Sequence, residues 1–264
     1  MTASSFLAGR RVFTAEEFGS VLGLAPRSRD SLLAYHRQRG RILPVRRGLY
    51  WVVQAGESPG TCAVDSFLLT AKMTDDAVLA YHTALEFHGR AYSSFSELQY
   101  QTARAARATT FRGWRFRPVL LPKALRQAGG AFFGVEAHER SGQTVRVTGL
   151  ERTLVDALNR PELCGGWEEL WRSLEMVEFF DLDEVVEYAL LLDNATTVGK
   201  VGWYLELHRE SLMVEEQHLR ALEERRPRQP RYVLRGDRGP TRFVPRWNLV
   251  VPEALAEQRW AEVA

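Results

Sequence analysis

The stretch Phe13-Thr-Ala-Glu-Glu-Phe-Gly-Ser-Val-Leu-Gly23, continued by Leu24-Ala-Pro26 and Arg27-Ser-Arg-Asp-Ser-Leu-Leu-Ala-Tyr-His-Arg-Gln-Arg-Gly40, decides the fold of the first part of the chain. Thr14-Ala-Glu-Glu17 has the form of a capping box, in which the Thr14 hydroxyl accepts from the Glu17 amide and the Glu17 carboxylate reaches back. Phe13, Phe18, Val21 and Leu22 give a short helix its apolar face, and Gly23 stops it. Leu24-Ala25 makes the turn, and Pro26 suits the first position of a second helix running to about Arg39 and closed by Gly40. On that helix Leu32, Leu33 and His36 fall on one side, while Arg27, Asp30, Ser31, Ala34, Arg37 and Arg41 fall on another. The small Ala34 among polar neighbours lets the outer face approach a groove closely.

Two short β-type runs follow, Ile42–Val45 and Leu49–Val53, joined by Arg46-Arg47-Gly48. Gly48 can take the positive φ of a hairpin and leaves two arginines at its tip. Helix, tight turn, helix and basic hairpin is the order of a winged helix-turn-helix, expected over residues 1–53. Such a module binds double-stranded DNA with its second helix in the major groove; a winged helix used for protein contacts is the other reading. The expected DNA-contacting residues are Arg27, Ser28, Arg29, Asp30, Ser31, Arg37, Arg41, Arg46 and Arg47. Among them Arg27, Ser28, Ser31 and Arg37 are expected to face the major groove, with Asp30 able to accept from a cytosine amine. Arg46 and Arg47 are expected at the backbone or minor groove.

Charge supports a polyanion partner. The net +2 of the 264-residue chain divides into +6 over residues 1–53, −8 over 54–219 and +4 over 220–264. Lysine occurs only at Lys72, Lys123 and Lys200. Arginine forks suit phosphate and guanine, although a GC-rich genome raises arginine in every protein. Cys62 and Cys164 are the only cysteines, too few for a zinc site, and a structural disulfide is not expected in what reads as a cytoplasmic protein. No apolar run reaches the roughly 18–20 residues of a membrane helix. Met1–Arg11 has neither an h-region nor a small-residue cleavage site, so no secretion signal is expected.

Gln54-Ala-Gly-Glu-Ser-Pro-Gly60 reads as a loop and as the domain boundary. Residues 61–219 read as an α+β domain: helices at Ala63–Lys72 and Asp76–His88, then an antiparallel sheet from Leu98–Ala103, Thr109–Phe111, Trp114–Leu121, Phe132–His138 and Thr144–Val147. A second capping box, Thr148-Gly-Leu-Glu151, opens a helix with Leu150, Leu154, Val155 and Leu158 in one stripe. Helices follow at Gly166–Val177, Leu182–Leu192 and Thr197–Met213. Residues 220–264 form an arginine- and proline-rich extension in which Tyr232-Val-Leu234 and Arg242-Phe-Val244, about a turn with Gly236 and Gly239, can pair as a hairpin. This end reads either as a second contact to DNA or a partner, or as a solvated extension.

Catalytic patterns are thin. His82 and Glu86 share a helix face, but His88 lies opposite, and no third metal ligand is in reach. There is no phosphate-binding glycine loop, no dinucleotide fingerprint and no nucleophile elbow. Of the nuclease-like acids, Glu97 and the Glu136–Glu139 pair lack a lysine partner, while Glu151 and Asp156 lie on a capped helix where Glu151 already has a capping role. No enzyme activity, catalytic residue, metal or cofactor is expected.

Tyr81-His-Thr-Ala-Leu-Glu-Phe-His-Gly89, Gly149-Leu-Glu-Arg-Thr-Leu-Val-Asp156 and Val198-Gly-Lys-Val-Gly-Trp-Tyr-Leu-Glu206 occur in this order behind a winged helix ending in Arg47-Gly-Leu-Tyr50. In this the chain resembles the AbiEi-type antitoxins of bacterial and archaeal abortive-infection systems, from about Phe13 to Leu212. The resemblance implies a repressor of its own operon that binds promoter repeats, and a larger domain that counters a toxin of nucleotidyltransferase type, in a scheme where the two need not form a stable complex. It implies no catalytic residues, and structural roles for Gly89, the Thr148–Asp156 stretch, Gly199 and Gly202. A free-standing regulator without a toxin and a nuclease fused to a winged helix are the alternatives. With one short reading helix per chain, a dimer on DNA or repeated half-sites is expected.

Overall fold

The Thr14–Glu17 box forms as its sequence predicts: the Glu17 amide donates to Thr14 Oγ1 at 3.1 Å, and the Thr14 amide donates to Glu17 Oε2 at 2.8 Å. The computed structural model describes residues 1–234 and 239–260. Around this box lie α1 (Ala3–Ala8), β1 (Val12–Thr14), α2 (Ala15–Leu22), α3 (Pro26–Gln38), β2 (Ile42–Arg46) and β3 (Leu49–Val52). Gly23 ends α2 at φ +64°, and Gly48 turns β2 into β3 at φ +78°, both in the left-handed region that glycine enters freely. The strands form an antiparallel sheet of order β1-β3-β2. Beneath α3, Phe6, Leu7, Phe13, Phe18, Leu33, Ile42 and Val52 make one buried cluster. Phe6 packs edge-on against Phe13 at 5.3 Å and Phe18 at 5.2 Å, so the unforeseen helix α1 supplies the centre of this core.

The winged helix does not stand apart at the 54–60 loop. Met1–Leu79, Phe95–Leu120 and Ala137–Val147 form one compact unit, and Ala80–Ser94, Leu121–Glu136 and Thr148–Ala264 a second. The first unit adds α4 (Ser66–Ala71) and a sheet of β4 (Val78–Leu79), β5 (Glu97–Thr102), β6 (Thr109–Phe111), β7 (Trp114–Leu120), β8 (Val135–Arg140) and β9 (Gln143–Thr148), in the order β6-β7-β5-β4-β9-β8. Pairing is antiparallel at β4–β5 and β6–β7 but parallel at β5–β7 and β4–β9, so the sheet is mixed where alternation alone suggested an antiparallel one. The Gln143 side chain joins the two sheets: Nε2 donates to the Val12 carbonyl at 3.0 Å, and Oε1 accepts from the Arg11 and Val12 amides at 3.3 Å.

The helix expected over 76–88 is instead strand β4 followed by the short helix α5 (His82–Phe87), broken at Tyr81, which has φ +58°. Sheet pairing of Val78 and Leu79 overrides their helical spacing. The second unit continues with α6 (Lys123–Gln127), α7 (Leu150–Asn159), a 3-10 turn Pro161–Cys164, α8 (Trp167–Glu175), α9 (Leu182–Leu191), α10 (Ala195–Leu207) and α11 (Glu216–Glu223). Arg152 through Asp156 and on to Leu158 is fully buried, which makes α7 the hub of the unit. The box expected at Thr148–Glu151 does not form. Gly149 is the cap, the Thr148 hydroxyl meets that of Thr153 at 2.7 Å, and the Glu151 carboxylate accepts from the Asp181 amide at 3.1 Å.

The C-terminal stretch is a docked sheet rather than a solvated extension. β10 (Arg231–Tyr232), β11 (Thr241–Val244) and β12 (Leu249–Pro252) pair in the order β10-β12-β11, followed by α12 (Glu253–Ala256). β10 and β11 therefore flank β12 and are not a hairpin; Gly236 lies outside the described residues. Arg246 is held by Glu206 at 3.0 Å, Glu216 at 2.7 Å and Glu223 at 3.1 Å, and the Trp247 indole donates to Glu206 at 2.7 Å. Gly202 admits Trp247 against α10, since a Cβ there would lie 2.1 Å from the ring.

Arg152 and Asp156, both fully buried, face each other at 3.6 Å; Tyr188 donates to Asp156 at 2.8 Å, and Arg152 donates to the Ala131 and Phe133 carbonyls at 3.1 and 2.6 Å. Asp156→Ala strands a buried guanidinium and should cost about 3–5 kcal/mol in chemical denaturation, whereas Arg152→Met with Asp156→Leu should cost less. Wild-type stability in Asp156→Ala would remove the pair from the framework. His36, 2% exposed on the inner face of α3, has no hydrogen-bond partner at either ring nitrogen among the described residues. Burial, with Arg41 and Arg39 beside it, holds its pKa below the ordinary 6.5. The folded imidazole stays neutral while the unfolded one takes up a proton, so this contribution is complete above about pH 6.5 and is lost as pH falls below it. His36→Leu should flatten the fall in denaturation midpoint on acidification; parallel curves would exclude His36 as its source.

Candidate nucleic-acid interface

Helix α3 exists because Pro26 pre-sets its first turn, and it is oriented because Leu33 and His36 are buried beneath it. That orientation leaves Arg27, Ser28, Asp30, Ser31 and Arg37 exposed, with Ala34 half-buried between them. Tyr35 and Gln38 are exposed too, one and nearly two turns beyond Ser31. They were absent from the sequence-derived set, although their spacing from Ser31 was a readable signal. The Arg39 guanidinium lies over the Tyr35 ring at 4.7 Å, which braces that edge of the helix.

Arg29 sits differently from its neighbours. It is half-buried, its methylenes crowd Gly19 of α2, and its Nε donates to Asp30 at 2.8 Å. A Cβ at Gly19 would meet Arg29 Cδ at 3.0 Å, so this glycine sets how closely α2 and α3 pack. The Asp30 carboxylate that a cytosine amine would engage is thus already in use by Arg29.

Beyond α3, Arg41 is exposed after Gly40, which turns at φ +67°. Arg47 is exposed at the tip of the β2–β3 hairpin. Arg46 points elsewhere: its guanidinium donates to the carbonyls of Arg47 and Met73 and fastens the wing to the 71–76 turn. The start of α2 is fastened in the same unit, because Lys72 Nζ meets Glu17 Oε1 at 2.7 Å. Burial pushes the Glu17 carboxyl up, but hydrogen bonds from Lys72 and the Thr14 amide outweigh it and hold the pKa below the usual value. The capping carboxylate is therefore charged as well as hydrogen-bonded, at the positive end of a helix.

The chemistry-bearing side chains of the second unit have structural partners. His82, fully buried, lies 3.2 Å from Glu169 and 3.7 Å from Glu86, and His88 meets the Thr148 carbonyl at 2.8 Å. Glu169 also accepts from the Ser93 amide at 2.8 Å and the Ser173 hydroxyl at 3.3 Å. In the first unit, Glu97 is shared by Arg115 and Arg117, each at 3.2 Å. Among the described residues no group of three or more His, Cys, Asp or Glu side chains is placed to hold a metal ion. No helix among them is long and apolar enough to cross a membrane.

Comparison with known proteins agrees with this architecture at two levels. Over nearly the whole chain, the fold is similar to the crystal structure of the RV2827C protein from Mycobacterium tuberculosis, with a TM-score of 0.60 at 18% identity, covering 98% of this chain and 94% of that one. At that identity the likeness concerns the fold alone. No curated protein matches the sequence. Residues 3–53, which hold α1, the helix-turn-helix and the wing, match the family described as transcriptional regulator, AbiEi antitoxin, and it is on this segment that the family resemblance stands.

Proposed function

We propose that the chain is a DNA-binding transcriptional repressor that acts on its own promoter and serves as the antitoxin to a nucleotidyltransferase-type toxin. The observation that carries the DNA-binding part is the outward face of α3. Arg27, Ser28, Ser31, Arg37 and Gln38 lie about the small Ala34 and present donors of several lengths, with Arg41 exposed just beyond the helix and Arg47 exposed at the tip of the wing. This is the arrangement in which a helix enters a major groove while a wing holds the backbone. Arg27 and Arg37 are suited to guanine edges, and Gln38 to adenine. Arg29 and Arg46 support the interface by holding α3 and the wing in place. The match of residues 3–53 to a family described as transcriptional regulator, AbiEi antitoxin, supports the regulator and the antitoxin parts of this reading.

One reading helix gives limited specificity, so we infer binding as a dimer or on repeated half-sites about one helical turn apart. The test is binding of the full chain to the DNA immediately upstream of its gene, measured against random duplex across a range of salt. Preference for the upstream DNA is expected, and no preference overturns autoregulation. Arg47→Ala should weaken binding to every sequence and lower the slope of log K against log salt by about 0.9, one phosphate contact. Arg27→Ala should instead cost about 1–3 kcal/mol on the preferred site and relax the choice of base there. Uniform weakening by Arg27→Ala would place this arginine on a phosphate. Co-expression with the neighbouring gene's product tests the antitoxin role; growth arrest that this chain does not relieve overturns it.

A further inference from the structure

Between Leu98 and Leu120 the chain carries Arg104, Arg107, Arg112, Arg115 and Arg117 and no Asp or Glu. This basic run sits inside the acidic middle of the sequence, yet it belongs to the same compact unit as α3 and the wing. Its first part, Ala103-Arg-Ala-Ala-Arg-Ala108, is the loop from β5 to β6, with both arginines exposed. Alanine neighbours add almost no bulk, so the loop backbone can come close to a phosphodiester chain.

The loop rests on a braced surface. Edge strand β6 packs beside edge strand β2 of the wing sheet. In the β6–β7 turn, Arg112 donates to the Pro59 carbonyl and, at 2.8 Å, to the Cys62 carbonyl. The Pro59 ring abuts Gly40 at the end of the α3 segment, where a Cβ would come within 2.7 Å of it. The end of the reading helix, the 59–62 loop and the β6–β7 turn are therefore connected in series through one arginine. Among the described residues Arg107 makes no ion pair, and Arg104 is held only by the exposed Asp75 at 3.0 Å. Such an exposed pair is weak and easily exchanged for a phosphate.

We propose that the 103–108 loop is a second DNA-binding element, in which Arg104 and Arg107 grip backbone phosphates beyond the segment read by α3. With both guanidinium forks on phosphate oxygens, which they match in pairs, the element adds affinity and footprint length without sequence preference. This rests on the DNA-binding reading of α3 and the wing.

The test compares the full-length wild type, Arg47→Ala, Arg104→Ala with Arg107→Ala, and the corresponding double lysine variant on upstream and random duplexes. The double alanine variant should keep the wild-type melting temperature and base preference. It should lower the salt slope by about 1.8, two phosphates at about 0.9 each, and shorten the nuclease footprint on one side. The double lysine variant should restore the slope. If Arg47→Ala lowers the slope and the double alanine variant changes neither slope nor footprint, the loop proposal is overturned and the winged-helix reading stands. Failure of the wild type to bind either duplex overturns both. Should the double alanine variant lose stability, Arg107→Ala alone decides, with a slope lowered by about 0.9 expected and an unchanged slope overturning the proposal.

Discussion

The buried amide of Gln143 makes the N-terminal module part of something larger than itself. Its carbonyl and amino groups face the backbone of Arg11 and Val12, so β1 pairs with β3 along one edge and with a side chain of the six-stranded sheet along the other. Buried backbone groups that lose such a partner cost about 1–3 kcal/mol each. The amide therefore fixes where the winged helix attaches. Lys72 on Glu17 and Arg46 on the Met73 carbonyl add charged fastenings at the start of α2 and at the wing. A basic, largely exposed candidate interface is thereby carried on a braced support, and precise contact geometry depends on such support.

In the second unit, specificity of packing comes from ionic groups in unusual places. Arg152 and Asp156 are buried at the hub helix, where Tyr188 donates to Asp156 and two carbonyls accept from Arg152. Arg246 collects three carboxylates while the neighbouring Trp247 fills the space left by Gly202. Several motif residues behind the family resemblance thus have structural duties: Arg152 and Asp156 in one motif, Gly199, Gly202 and Glu206 in another. What approaches the two glycines is the docked C-terminal segment, including Pro227, Trp247 and Leu249. Within that segment Arg246 serves attachment, through Glu206 and Glu216.

The local signals of the winged helix were legible because each one acts within a few residues. A capping box, a helix-ending Gly23, Pro26 at a first turn and Gly48 in a hairpin are determined by short-range hydrogen bonding and by sterics. The outward side of α3 followed from the positions of Leu33 and His36, so which of its side chains are exposed could be read directly. Tyr35 and Gln38 were within reach of the same periodicity. Arg29 and Arg46 were not, because their partners, Gly19 and the Met73 carbonyl, come from other elements.

The sequence by itself determined the helix-turn-helix, the basic wing, the α+β class and the motifs behind the family resemblance, since pattern and capping encode these locally. Tertiary structure alone decided the parallel pairs in the larger sheet, the strand in place of a helix at Val78-Leu79, and the failure of the Thr148–Glu151 box. It also turned an apparent extension into a docked sheet and brought β6, the strand that follows the arginine loop, beside β2 of the wing sheet. In each case the deciding contact joins residues far apart in the chain. Local propensities of a few tenths of a kcal/mol per residue yield to such contacts.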